Sequence, residues 1–433
     1  MKIAIIGSGI SGNVAAHILA KSHDVAVYEK RDRAGGHSAT KDIDYTGNGD
    51  WMSVDTGFIV YNDHNYPGLV KLFKELRIET EESNMSFGFS ANRGAFEWSG
   101  QSIASVFAQK SNWINPLFWL MLRDIFKFNK QAARDHESGH LGDMSLGKWL
   151  KRNRLSEVFI NRYLLPMGAA IWSTPADEIL NFPAASFLQF FYNHRLINKD
   201  RPQWRTVTGG SREYVNKITA GFKNCLRLSA EVTHIKRHAN GVDVTANGTT
   251  ETYDQIVMAA HSNQSLAMLS DASRDETDIL SAVRYLPNDV YLHRDKSLMP
   301  KRQTVWSAWN YISRGKSERD AVMSVSYWMN RLQNLDDSKP LFVTLNPPVR
   351  PTPKKTFGHY VYDHPQFDAA AMRAQNDLPT IQGVNRTWFC GAWCGFGFHE
   401  DGLQSALKIC KQIAMLKDSK TDEYQTVEKA AAE

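Results

Sequence analysis

The opening stretch, Lys2 to Lys30, constrains the fold more than any other part of the chain. Lys2-Ile3-Ala4-Ile5-Ile6 is a short apolar run suited to a buried parallel strand. Gly7-Ser8-Gly9-Ile10-Ser11-Gly12 follows without a gap, and Val14 to Ala20 reads as a helix. Gly7 permits a tight turn, Gly9 lets backbone approach a pyrophosphate, and Gly12 lets the helix pack on the strand. The helix N–H groups and dipole then face the phosphates. A second apolar run, Val25-Ala26-Val27-Tyr28, ends in Glu29, where a carboxylate accepts hydrogen bonds from ribose hydroxyls and repels a 2′-phosphate. Glycines alone are as easily a structural turn. Strand, glycines, helix, strand and acid in register specify a dinucleotide site.

The continuation Arg31-Asp32-Arg33-Ala34-Gly35-Gly36-His37 distinguishes between dinucleotides. A plain NAD domain needs neither an arginine nor a glycine pair here. Arg33, Gly35 and Gly36 match the R-x-G-G pattern of the flavoprotein group that holds monoamine oxidases, phytoene desaturases and protoporphyrinogen oxidases. That resemblance implies FAD, with the arginine facing the pyrophosphate and the glycines passing beneath the flavin. Asp55-Thr56-Gly57 resembles the group's loop beside the isoalloxazine ring.

The far end of the chain supplies the other half. Trp388-Phe389-Cys390-Gly391-Ala392 reads as a strand entering a glycine turn, and Glu400-Asp401-Gly402-Leu403 opens a helix to about Ala414. In the group, this unit contacts the ribityl chain and aims a helix N-terminus at the flavin, where negative charge develops on reduction. The cofactor-binding set implied is Gly7, Gly9, Ser11, Gly12, Glu29, Lys30, Arg33, Gly35, Gly36, His37, Asp55, Thr56, Gly57, Val232, Ala259, Gly391, Ala392, Asp401, Gly402 and Leu403. Within it, the residue matching Val232 pairs its backbone with adenine. The FAD is expected to be non-covalent. Cys394 lies close enough in sequence to raise a covalent tether, against the simpler reading of a small buried residue.

Three further motifs, Asp55–Asn62, Trp306–Tyr311 and Gly395–Gly402, resemble a bacterial subfamily of flavin-containing amine-oxidase-like proteins. The resemblance spans Met1 to about Ala414. Its members often accompany cyclopropane-fatty-acid-synthase-like proteins, which implies chemistry on methylated or cyclopropane-related fatty acyl chains.

The fold class expected is α/β: a discontinuous Rossmann-like FAD-binding domain with an α+β substrate cap of the amine-oxidase type. The FAD-binding domain takes residues 1–85, 205–285 and 380–416, the cap residues 86–204 and 286–379, and residues 417–433 read as a flexible tail. Runs from Leu226 to Ala260 alternate with turn residues and read as a small β-meander. Phe107 to about Leu196 reads as helical and aromatic-rich, and Val290 to about Tyr362 as strand-rich, with Val305, Trp306, Ala308 and Met323 among the β-formers.

A net charge of +5 over 433 residues is mild, and no basic cluster with interleaved aromatics points to nucleic acid. Cys225, Cys390, Cys394 and Cys410 lack C-x-x-C spacing, which fits a reduced compartment and no metal site. No run of about 18 apolar residues offers a spanning helix. The chain starts straight into its first strand, so no signal peptide is expected and the location expected is cytoplasmic. Peripheral contact with the inner face of the membrane rests on Asn112 to Arg134. There apolar residues at helical spacing pack as cap core on the first reading and lie on a lipid surface on the second.

A flavin performs the redox step, and the protein must exclude water and hold a C–H bond against it. Twelve tryptophans and clustered phenylalanines fit a large apolar substrate, with Trp172, Trp306, Trp309 and Tyr327 as its expected walls. His399 and Glu400 are the catalytic candidates: acids at a helix start ordinarily cap N–H groups, but a preceding histidine near flavin can accept a proton or anchor substrate. Glu97 and Trp98 are expected near the cavity on position alone. An amine oxidase needs a lysine beside the flavin; Lys296 and Lys301 fall in the right stretch, yet surface lysine is the simpler reading of both. The leading function is therefore a dehydrogenase or desaturase of an apolar, acyl-like or lipid substrate, with an unknown electron acceptor. The alternatives are oxidation of a polyamine or amino acid, and a flavin-binding accessory protein.

Overall fold

A computed structural model describes residues 1–139, 141–198, 200, 202–314 and 324–430, with side chains from residue 417 onward and that of Ala176 excluded. Met323 falls outside the described residues. Five parallel strands form the nucleotide sheet in the order Leu226–Arg227, Asp24–Tyr28, Lys2–Ile6, Gln255–Met258, Thr387–Phe389. The two ends and the middle of the chain thus meet in one sheet.

Alternation decides what covers it, because successive side chains of a strand point to opposite faces. Ile3, Ile5, Val25 and Val27 pack with the helix Ile10–Leu19 and the C-terminal helix His399–Ala430. Ala4, Ile6, Ala26 and Tyr28 pack on the other side with the antiparallel meander Val232–His238, Gly241–Ala246, Thr249–Tyr253. The C-terminal helix continues to Ala430, past the start of the expected tail. Leu403, Ala406, Ile409 and Ile413 bury its early turns, spaced at helical intervals.

The cap is a seven-stranded sheet ordered Thr356–Pro365, Tyr285–His293, Phe342–Leu345, Ser324–Trp328, Trp309–Ser313, Phe87–Ala91, Phe96–Ser99. Its pairings are antiparallel except that of Trp309–Ser313 with Phe87–Ala91. Helices between Pro116 and Asn193 pack on it through Phe118, Phe128, Trp149, Phe159 and Phe187. Val305, Trp306 and Ala308 sit ahead of the strand that begins at Trp309, in a short turn that Trp306 caps by donating from Nε1 to Pro300 O at 2.7 Å. Among the described residues no helix is long and apolar enough to cross a membrane.

Candidate active site and cofactor cradle

The first strand ends at Gly7, whose φ of +102° brings its backbone against Ala259 O; a Cβ there would sit 2.8 Å from that oxygen. A Cβ on Gly12 would overlap Gly7 O, so helix and turn meet backbone to backbone. At Gly9, by contrast, a Cβ would meet nothing, and the helix begins there facing open space. Glu29 follows the second strand and is 7% exposed. Its Oε2 accepts from Ser8 N (3.0 Å) and Ser8 Oγ (2.7 Å), and its Oε1 from Arg31 N (3.0 Å). The carboxylate is therefore held in place by Ser8 and the Arg31 backbone.

One cavity of about 1230 Å³ joins these elements to the cap. That exceeds the roughly 300–1,000 Å³ of a typical small-molecule site, which leaves room for a dinucleotide and a substrate together. The lining includes Gly7, Gly9, Ser11, Glu29, Lys30 and Val232, with Gly36, His37, Ala259, Gly391 and Ala392, Thr56 and Gly57, and His399. Glu29 suits a ribose, the helix start at Gly9 suits a pyrophosphate, and the lining glycines admit a flat ring system close to backbone. The residues present fit FAD.

The other expected cofactor residues lie behind this surface and shape it. Arg33 does not reach the cavity: its Nη1 donates to Ser38 O (3.1 Å) and its Nη2 to Gly36 O (3.0 Å), bracing the loop that carries Gly35 and Gly36. Asp55 is also absent from the lining. It accepts from Ser211 N (2.9 Å), Ser211 Oγ (2.7 Å), Thr40 Oγ1 (2.6 Å) and Gln333 Nε2 (3.1 Å), and burial pushes its carboxyl up from the ordinary range. Asp401 accepts from Phe398 N (2.9 Å) and is pushed up to about 6 by burial, holding the Gly395–Phe398 loop. Gly402 receives Ser11 Oγ at 2.8 Å where the first and last helices touch, and Leu403 is core.

His399 faces the cavity. Its imidazole stacks on Phe58 with centroids 3.7 Å apart, and Nε2 contacts Ser38 Oγ (2.9 Å) and Tyr214 OH (3.2 Å). Burial, then the neighbouring His37, pushes it down to about 3, so the ring is neutral at physiological pH. Glu400 turns the other way. Its two oxygens accept from Gly68 N (2.8 Å) and Leu69 N (2.9 Å), capping the helix Pro67–Glu75, and it does not line the cavity. That placement assigns it to the capping alternative, because both carboxylate oxygens are occupied by backbone.

The apolar walls of the same cavity include Met167, Ile171, Phe190, Val290, Trp309, Tyr327, Val343 and Leu345, alongside the polar Glu82, Asn84, His194 and Gln203. Trp309 and Tyr327 meet edge to face at 5.0 Å, and the Trp309 Nε1 has no hydrogen-bond partner. Two expected walls are elsewhere. Trp172 packs among Phe182, Phe187 and Phe190 in the helical core, and Trp306 packs against Trp328 and Phe342. Glu97 is buried on the sheet's end strand Phe96–Ser99, accepting from Ser90 Oγ (2.8 Å) and Arg302 Nη1 (2.8 Å), while Trp98 packs on Phe87 and Tyr163.

Sequence reasoning placed His37 in the cofactor set but missed the imidazoles that gather round it. His37 lies 6.1 Å from His261, 5.7 Å from His364 and 5.3 Å from Tyr362 by ring centroids, and all four line the cavity. Burial pushes His37 down to about 4 and His261 and His364 down to about 3. Nothing local marks His261 and His364, which come from segments distant from His37 and from each other. Lys296 and Lys301 are exposed and lie outside the lining, in which Lys30 is the only lysine among the described residues. Cys394 is outside the lining as well, and burial pushes its thiol up to about 12, which fits non-covalent FAD.

The sequence pattern of the flavin containing amine oxidoreductases matches residues 9–339. A Mycobacterium tuberculosis protein named flavin-containing monoamine oxidase AofH is 24% identical over 358 residues, covering 79% of this chain and 70% of its own. Among solved structures, a double mutant of putrescine oxidase superposes with a TM-score of 0.69 at 18% identity, covering 96% of this chain and 99% of its own. A CLA-producing fatty acid isomerase from P. acnes superposes with a TM-score of 0.67 at 16% identity, covering 95% and 98%. The shared fold, the cradle built from both ends of the chain and the match over residues 9–339 lead to one conclusion: this chain belongs to the flavin-containing amine oxidoreductase family and is an FAD-dependent oxidoreductase.

Proposed function

We propose that the enzyme dehydrogenates a long apolar substrate, best a methylated or cyclopropane-related fatty acyl chain, removing a hydride from one carbon and a proton from its neighbour so that a C=C bond forms. Bound FAD supplies the two-electron acceptor. The observation that carries this reading is the composition of the substrate end: aliphatic and aromatic walls, with Val290 rather than a lysine facing in from the strand Tyr285–His293. An amine substrate needs a polar anchor and a means of losing its proton; the eight walls named above supply neither, although the same lining also holds Glu82 and His194, the latter stacked on Phe190 at 3.8 Å. Burying an alkyl chain there is favourable by about 0.8 kcal/mol per CH₂.

The chain's own residues then have defined tasks. Met167, Ile171, Phe190, Val343 and Leu345 exclude water from the reacting carbon. Trp309 and Tyr327 form a right-angled corner that holds one side of the chain. His399, neutral and fixed by Phe58, Ser38 and Tyr214, supports the cavity floor and offers Nε2 as a proton station within a hydroxyl pair.

The amine-oxidase reading draws support from the similarity to AofH. Anaerobic mixing separates the two. Phospholipid bearing methylated or cyclopropane acyl chains is expected to bleach the oxidised flavin band, and polyamines to leave it unchanged. Rapid bleaching by a polyamine with none by lipid would overturn the acyl reading.

A further inference from the structure

The cap helix Pro116–Ser138 divides its residues cleanly between two faces. Phe118, Met121, Phe128 and Ala132 are fully buried against the cap core. Trp119, Arg123, Phe126, Lys130 and Arg134, three and four residues apart, point to solvent. The turn leading into the helix adds to this outer face. Trp113 is 54% exposed, Ile114 87%, Leu117 50%, Trp119 47% and Phe126 73%. So many large apolar side chains in one short exposed stretch mark an interaction surface.

The patch is pre-built. Phe107 stacks on Trp113 with centroids 3.9 Å apart, and Trp119 Nε1 donates to Trp113 O at 3.0 Å. These contacts hold both indoles at the surface. The flanking charge is mostly of one sign. From residue 103 to 138 the chain carries Lys110, Arg123, Lys127, Lys130 and Arg134, all exposed, against Asp124, Asp135 and Glu137, of which only Glu137 is exposed. Asp124 is fully buried, with Oδ1 accepting from Arg123 Nη2 (2.8 Å) and Oδ2 from Ser156 N (2.8 Å).

We infer that this face docks the enzyme on an anionic phospholipid surface. Trp113, Ile114, Leu117 and Trp119 enter the boundary between headgroups and acyl chains, where amphipathic aromatic rings are favoured. Arg123, Lys130 and Arg134 then meet headgroup phosphates further along the helix. Charge decides against a second copy of this chain as the occupant. An isologous contact would lay the same cationic stripe against itself, whereas anionic lipid complements it. The inference does not depend on the acyl-chain reading, because docking is independent of what enters the cavity.

Sedimentation of the FAD-loaded enzyme with vesicles tests it. The protein is expected to pellet with phosphatidylcholine vesicles containing about a third phosphatidylglycerol, and to stay in solution with phosphatidylcholine alone or at high salt. Ile114→Ser with Leu117→Ser should weaken binding roughly tenfold or more, since it strips exposed apolar area without touching the core. Lys110→Glu with Lys130→Glu should weaken binding to the anionic vesicles as well. Flavin absorbance confirms that each variant is folded, and bleaching by detergent-dispersed lipid is read separately, so the two proposals fail independently. Wild-type protein left in the supernatant with anionic vesicles, or undiminished binding by both double variants, would overturn the inference. A dimer that Ile114→Ser with Leu117→Ser breaks, with vesicle binding unchanged, would assign the face to a second copy.

Discussion

The imidazole of His399 stacks on the ring of Phe58 at a centroid distance of 3.7 Å and an interplanar angle of 17°, although 341 positions separate them in the chain (399 − 58). This pairing makes His399 a fixed, neutral part of the cavity floor. His399→Ala removes the stack and the contact to Ser38, so flavin reduction should slow while FAD stays bound. Because burial holds the ring down to about 3, its own titration should leave no inflection in the reduction rate between about pH 5 and 8. An inflection near 6.5 that vanishes in His399→Asn would contradict this.

Glu29→Ala should weaken FAD retention by roughly tenfold to a hundredfold, equivalent to about 1.5–3 kcal/mol for hydrogen bonds to a carboxylate. Flavin occupancy after dialysis measures it. Ser8→Ala should produce a smaller loss in the same direction, since Ser8 only orients the carboxylate through N and Oγ. Unchanged occupancy in Glu29→Ala would remove Glu29 from the ribose.

Glu400→Gln should lower stability without slowing flavin reduction. The lost cap on the helix Pro67–Glu75 is worth about 1 kcal/mol, by analogy with other helix N-terminal carboxylates. Thermal melting and single-turnover reduction read the two effects separately. A large rate loss with normal stability would restore Glu400 to the chemistry.

Ile171→Trp should shorten the acyl chain that the cavity accepts. Displacing two or three methylenes from an apolar wall costs roughly 1.6–2.4 kcal/mol, or about fifteen- to sixty-fold in affinity. Shorter chains should bind as before. Equal losses for all chain lengths would place Ile171 outside the substrate path.

Stability should fall as pH drops below about 6.5. Burial pushes His37, His194 and His293 down to about 4, and His261, His364 and His399 down to about 3. Between those values and the unfolded one, the unfolded chain binds more protons, so each histidine costs up to about 1.4 kcal/mol per pH unit on acidification. Asp401, raised to about 6, and Asp55, also raised, act in the opposite direction and offset part of the slope. Melting temperatures from about pH 7.5 to about pH 5 check the sign, and His364→Asn should flatten the slope.

The nucleotide half of the site was legible because its determinants are local. Gly7, Gly9, Gly12 and Glu29 are tied to consecutive elements, and strand alternation fixes which side chains reach each core. The C-terminal half was legible in part. Gly391 and Ala392 reach the cavity as expected, but Asp401, Gly402 and Leu403 face the first helix and the loop before it. Arg33 and Asp55 show the same limit. A charged residue in a cofactor motif either meets the ligand or braces the loop that does, and only the surrounding backbone carbonyls and N–H groups decide which.

The substrate end depended on tertiary structure still more. Trp172, Trp306, Trp309 and Tyr327 are equally aromatic in sequence, yet only Trp309 and Tyr327 line the cavity. Burial in a core and exposure to a cavity select the same side chains, so composition cannot separate them. The grouping of His37, His261 and His364 likewise arises from segments far apart in the chain. By itself the sequence determined the cofactor class and the discontinuous nucleotide fold, because turn geometry and strand periodicity are short-range. The tertiary structure decided which polar residues brace and which ones face the ligand, because that depends on where distant backbone places its unpaired donors and acceptors.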